Sequence, residues 1–219
     1  KTIGFVSGHF SNFHIHKTPF IFKIPLVAQT NGIPNALWCN SAEKAIMACK
    51  ASMMGDLKTF KMIDKVRKPN ECRSLGNAVK SLQQDLWDKN VAEIAVEVLT
   101  QKFDSSKVLR DLLLDTANHN LAYHSGWARA GLESYQTGAD HSLWASGIGP
   151  YSEDLQQPAK WPGANLLGEA LMNARQRLRK TPDGKQETEV VDEEEKKRRA
   201  AVTEKERIFR QRPSVGTWL

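Results

Sequence analysis

At 219 residues the chain is long enough to bury one substantial core, and its 40% hydrophobic and 26% charged residues exclude wholesale disorder. The formal charge of +6 and pI near 9.2 tilt its partners toward polyanions such as nucleic acid or phosphate-bearing nucleotides. No apolar run approaches the roughly 18 residues of a membrane span, and Cys39, Cys49 and Cys72 form no CxxC pair and leave an odd thiol. A reducing compartment, cytoplasmic or nuclear, is therefore expected, with no membrane partner.

The first forty residues are rich in β-branched and aromatic types. Ile3-Gly-Phe-Val6, Phe20-Ile-Phe-Lys-Ile24 and Ala36-Leu-Trp-Cys39 read as short strands of one small sheet, separated by turns at Asn31-Gly32 and Pro34-Asn35. After Asn40 and Ser41, either of which can cap a helix, the period becomes helical over 41–51, 56–66, 70–80, 84–103 and 105–115. Val91, Ile94, Val98 and Leu99 mark the buried face of the long helix, and Val108, Leu112 and Leu113 that of the next. Residues 126–164 are rich in Gly, Ser, Asp, Pro and Trp with little periodicity, and so long a connection is more often functional than idle.

A further helix is predicted from Asn165 to about Arg179. Beyond Thr181-Pro-Asp-Gly184 the acidic run Asp192 to Glu195 meets the basic run Lys196 to Arg199, which supports a solvated helix by local pairing. The same basic residues could touch nucleic acid or a nuclear import receptor. The expected fold is α+β and helix-dominated, a single domain over 1–180 with a small N-terminal sheet, followed by a charged helical extension over 181–219.

Chemistry concentrates on Ser41-Ala-Glu-Lys-Ala-Ile-Met-Ala-Cys-Lys50. Glu43 and Lys50 lie seven apart, close to two turns, so an acid and an amine rise from one stripe with the apolar Ile46 and Met47 between them. Burying either charge unpaired would cost several kcal/mol, roughly. The two groups therefore either sit at the lip of a cleft, or are solvated while Ile46 and Met47 border the core. There is no GxGxxG after a strand, no Walker loop, no HExxH, no GxSxG and no Cys/His zinc spacing. His14 and His16 have alternate strand spacing that could point two imidazoles at a metal, but no third ligand is evident; a structural or surface role is expected, with no metal and no cofactor.

Phe10-Ser11-Asn12-Phe13, the Glu43-to-Lys50 helix, Pro69 with Leu75-Gly76, Trp87, Lys102-Phe103, Leu112-Leu113 with Thr116, and Asn165-Leu-Leu-Gly-Glu-Ala-Leu-Met-Asn-Ala-Arg175 together resemble the NADAR superfamily. That family is named for its association with NAD and ADP-ribose. It includes a bacterial N-glycosidase of early riboflavin intermediates and hydrolases that remove ADP-ribose from guanine. The resemblance runs in order from about residue 10 to residue 180, and N-x-L-G-x-x-L-M-x-x-R at 165–175 is its most specific piece. Asp140 precedes Trp144 by one residue more than the family's pattern, and His141 takes the expected spacing, so both are candidates to face the substrate. Gly76-Asn77 stands where relatives often carry Gly-Arg, so a basic phosphate contact is missing there or comes from elsewhere.

The resemblance implies hydrolysis of a bond between a ribose carbon and a base nitrogen. Glu43, Lys50 and Asp140 would be catalytic: Glu43 as general acid/base or charge stabiliser, Lys50 as a Schiff-base nucleophile or a cation holding a hydroxyl or phosphate. Asn12, Phe13, Trp87, His141, Trp144, Gly147, Gly163 and Asn165 would bind substrate. Trp87 and Trp144 would stack a base, though each reads equally as core packing. Asn165 reads equally as the cap of its helix. The longer loops and basic balance favour ADP-ribosylated guanine, in nucleic acid or nucleoside, with ADP-ribose as product. A riboflavin intermediate, a non-catalytic ADP-ribose or nucleotide reader, and a nucleic-acid binder acting through the basic tail are the alternatives.

Overall fold

A computed structural model describes residues 1–124, 143–149 and 151–181. Asp140, His141 and the predicted extension beyond Thr181 lie outside the described residues.

The strands do not form one sheet. β2 (Phe20–Lys23) and β3 (Ala36–Cys39) pair antiparallel, with Phe20 opposite Cys39 and Lys23 opposite Ala36. β1 (Thr2–Phe5) instead pairs in parallel with β4 (Asn120–Tyr123), from Thr2 opposite Asn120 to Phe5 opposite Tyr123. The chain thus closes its N-terminus onto a strand more than a hundred residues away. Sequence periodicity missed β4, a four-residue strand with no β-branched residue, which only its partner makes a strand.

The helices follow the predicted segments. They are α1 (Ala42–Met53), α2 (Leu57–Lys65), α3 (Pro69–Asn77), α4 (Gln84–Asp104), α5 (Lys107–Leu114) and, after two single 3-10 turns at Glu153–Gln156 and Pro158–Lys160, α6 (Leu166–Lys180). Three start on side-chain caps: Ser41, Asp56 and Ser106 each accept the backbone N–H three residues on. Pro69 opens α3, where its missing N–H costs nothing. The result is the helix-dominated α+β architecture the sequence predicts.

α1 is the central helix, with every residue from Ala42 to Ser52 buried. Alanines at 42, 45, 48 and 51 keep its surface low enough for α2, α3 and α4 to pack around it. Val91, Ile94, Val98 and Leu99 of α4 are buried as predicted. The face of α5 is corrected: Val108 is 77% exposed, and Leu109, Arg110 and Leu113 face inward. Arg110 fixes that phase by donating to the carbonyls of Leu178 (2.6 Å) and Thr181 (2.6 Å), capping the end of α6, and by pairing with Asp104.

Candidate active site

The candidate site is assembled by the approach of α3 to α1. A Cβ on Gly76 would lie 2.1 Å from Met47 Sδ and 3.0 Å from Met47 Cβ, so only glycine lets the helices come this close. One turn earlier on each helix, Arg73 Nε donates to Glu43 Oε1 at 3.0 Å. The Glu43 side chain is 2% exposed and that of Arg73 32%, so the carboxylate is committed to the interior while the guanidinium reaches its edge. Gly76→Ala is expected to separate the pair and lower the thermal midpoint; an unchanged midpoint would mean that Met47 yields freely.

The loop before β2 closes over the same corner. Phe13 presents its ring 4.5 Å from the Arg73 guanidinium carbon, a cation–π contact. Asn12 donates nothing here through its backbone; its carbonyl accepts the Glu43 N–H at 3.0 Å, satisfying one of the open donors at the start of α1. The Asn12 side chain is buried, and its Oδ1 has no hydrogen-bond partner among the described residues. A buried amide oxygen left so is costly unless something fills the place. From the other side β4 delivers Tyr123. Burial raises its phenol above the usual value, with Arg73 acting to lower it and Glu43 to raise it, so the three groups share one electrostatic neighbourhood.

Lys50, two turns along α1, is 8% exposed with its ammonium 5.4 Å from the centre of the Trp87 ring. Both charges of the predicted stripe are therefore buried, which removes the solvated alternative. Trp87 itself is 6% exposed within the core. The Lys50 ammonium therefore stands at the face of a buried indole.

Several described residues between Leu143 and Arg175 build architecture. Asn165 occupies the cap position of α6 with φ +52 and ψ +35 and makes no side-chain cap bond. Its Oδ1 accepts from Tyr123 N at 2.9 Å and its Nδ2 donates to Leu121 O at 2.8 Å, so its amide is bonded to the backbone of β4. Gly168 completes that contact, since a Cβ there would meet Leu121 O at 2.0 Å. Gly147 and Gly163 press two segments together, with Gly163 N donating to Ser146 O at 2.9 Å and a Cβ on Gly147 reaching Gly163 N at 2.9 Å. Trp144 is partly buried against the core.

Two residues outside the predicted set complete the corner. Arg73 was invisible because nothing in sequence pairs positions thirty apart; it stands one turn before Asn77 on α3. Lys102 is wholly buried and donates to the carbonyls of His9 (2.6 Å) and Ser11 (3.2 Å), holding the loop from below. Desolvation lowers its amine from 10.5 to about 7. The unfolded chain then binds the extra proton between these values, so this group makes stability rise with pH from about 7 toward 10.5. Denaturant titrations across that window should show a positive slope, up to about 1.4 kcal/mol per pH unit for one proton, which Lys102→Met flattens.

A family model for the NADAR domain matches residues 5–179, spanning the loop, α1, α3, β4 and α6. The chain belongs to the NADAR family. Relatives include N-glycosidase R617 of Acanthamoeba polyphaga mimivirus, 30% identical over 136 residues, which are 62% of this chain and 72% of that protein. Protein irg-1 of Caenorhabditis elegans is 21% identical over 165 residues, 74% of this chain and 72% of its own. The NMR structure of the E. coli protein YbiA superimposes with a TM-score of 0.54 at 23% identity, covering 81% of this chain and 84% of that one, and shares the NADAR fold.

Proposed function

We propose that this NADAR protein is an N-glycosidase-type hydrolase that releases ADP-ribose from guanine bases of nucleic acid or nucleosides. The observation that carries the reading is the buried Glu43 carboxylate held by Arg73 beneath Phe13. Breaking a bond from an anomeric carbon to a base nitrogen builds positive charge on the sugar, and a carboxylate already fixed in place stabilises that charge without reorganising. The bonding electron pair leaves with the base nitrogen, which is protonated, and water completes the sugar. Glu43 moves the protons. The N-glycosidase relative supports the reaction type. The partly exposed guanidinium of Arg73 and the chain's net charge of +6 support a substrate carrying a pyrophosphate.

Lys50 meets the condition for a covalent route, because its amine is largely desolvated. Its ammonium would give a proton to the departing base nitrogen, and the amine so formed would bond to the anomeric carbon as the glycosidic bond breaks; the ring C–O bond then breaks, its oxygen taking a proton from that nitrogen, and the opened sugar would remain as a Schiff base until water releases it. Borohydride added during turnover should leave a mass adduct on Lys50. Turnover without an adduct would assign Lys50 the role of a cation that holds the substrate.

The substrate is tested by incubation with ADP-ribosylated guanosine, ADP-ribosylated DNA and the aminopyrimidine precursor of riboflavin. ADP-ribose should appear from the first two. Cleavage of the third alone would move the protein to the riboflavin class, and tight binding of ADP-ribose without cleavage of any would make it a reader.

A further inference from the structure

The loop that carries Asn12 and Phe13 also gathers three histidines. Two tight turns, Ser11 N to Gly8 O at 3.0 Å and His14 N to Ser11 O at 3.3 Å, curl the loop so that His9 returns to meet His14 and His16. One ring nitrogen from each lies within 4.8 Å of the others. Sequence reading saw two histidines at strand spacing; the loop geometry supplies the third, from a segment that is not a strand.

We infer that His9, His14 and His16 form a three-imidazole site for a divalent transition metal, Zn2+ foremost, that pins the 8–16 loop against the start of α1. Imidazole nitrogen is the donor Zn2+ favours, and three protein ligands leave a fourth position for water. Tetrahedral Zn–N bonds of about 2.0–2.1 Å place the nitrogens about 3.3 Å apart, so from a spacing of up to 4.8 Å the rings need to close by about 1.5 Å at most. The rings already pack together, with centroids of His9 and His14 4.3 Å apart and those of His14 and His16 4.9 Å apart. Packing does not satisfy their nitrogens, however. His16 is 8% exposed and its Nε2 is buried with no hydrogen-bond partner among the described residues, the condition a metal ion would relieve.

Lys102 adjoins the cluster and at close range would oppose a cation. Its ammonium is bonded to the His9 and Ser11 carbonyls, whose oxygens take up part of its charge. The loop is already fastened at its far end, where His16 N donates to Asn40 O at 2.8 Å, and at Asn12 O. A metal would fasten the exposed His9 to that end.

Protein stripped of metal with a chelator is titrated at about pH 8 with Zn2+ against a chromophoric competitor, and with Co2+ followed by visible absorption. One equivalent per chain should bind, with the Co2+ bands of a four-coordinate centre and a higher thermal midpoint with Zn2+. His9→Ala and His14→Ala, at accessible positions, should each weaken Zn2+ by about 100-fold or more while circular dichroism stays native, and His119→Gln should leave it unchanged. Absence of a stoichiometric site, or equal Zn2+ affinity in the wild type and both variants, overturns the assignment whatever the glycosidase assays show.

Discussion

Glu43→Gln is expected to cut turnover of ADP-ribosylated guanosine by about 100- to 10,000-fold while the circular dichroism spectrum stays native. The substitution keeps the side chain's shape, and the new amide oxygen can still accept from Arg73 Nε at the place now occupied by Glu43 Oε1. What it removes is the negative charge and the proton-moving group that the proposed hydrolysis assigns to Glu43. Arg73, left without its countercharge, is about one-third exposed and keeps contact with water. The stability cost should therefore stay near or below about 1 kcal/mol. Activity and stability part company in this variant, and that separation is the test. Near-wild-type turnover would remove Glu43 from the chemistry and with it the site at the α1–α3 corner.

How far this corner can be read in the sequence depends on whether its cause is local. The helix carrying Glu43 and Lys50 announces itself by the Ser41 cap and by its period, because both are set by residues within a turn of one another. Whether the two charges meet solvent or core is decided by the helices that surround α1, and sequence periodicity left both readings open. Arg73 illustrates the gap. Its pairing with Glu43 follows from the missing Cβ of Gly76, a contact between elements that spacing cannot express. β4 and the convergence of His9 on His14 and His16 are of the same kind: a parallel partner at the far end of the chain and a curled loop, neither with a local signature.

The most specific motif of the family resemblance reports architecture. Along Asn165 to Arg175, Asn165 and Gly168 bind the backbone of β4, Leu167 and Leu171 fill the core, and Arg175 Nη1 donates to Thr116 Oγ1 at 2.7 Å and to His119 O at 3.0 Å. Each of these residues fastens α6 to the strand and to the turn before it. That strand carries Tyr123 to the Glu43–Arg73 pair, so the motif acts on the site through the placement of β4.

Asn165→Ala should accordingly behave as a loss of structure. Two hydrogen bonds to the β4 backbone disappear, each with a net value of about 1 kcal/mol, and the partly buried Tyr123 N–H is left without its acceptor. The position also holds φ at +52, which asparagine tolerates and alanine resists. Together these should destabilise the fold by about 2–4 kcal/mol, a fall in thermal midpoint on the order of 10 °C. Asn165→Gly relieves the backbone cost without restoring either bond, and should lie between alanine and wild type. At temperatures where the variants remain folded, KM for the substrate should stay close to wild type. A raised KM with an unchanged thermal midpoint would return Asn165 to the ligand, and would require its amide to leave the strand when substrate binds.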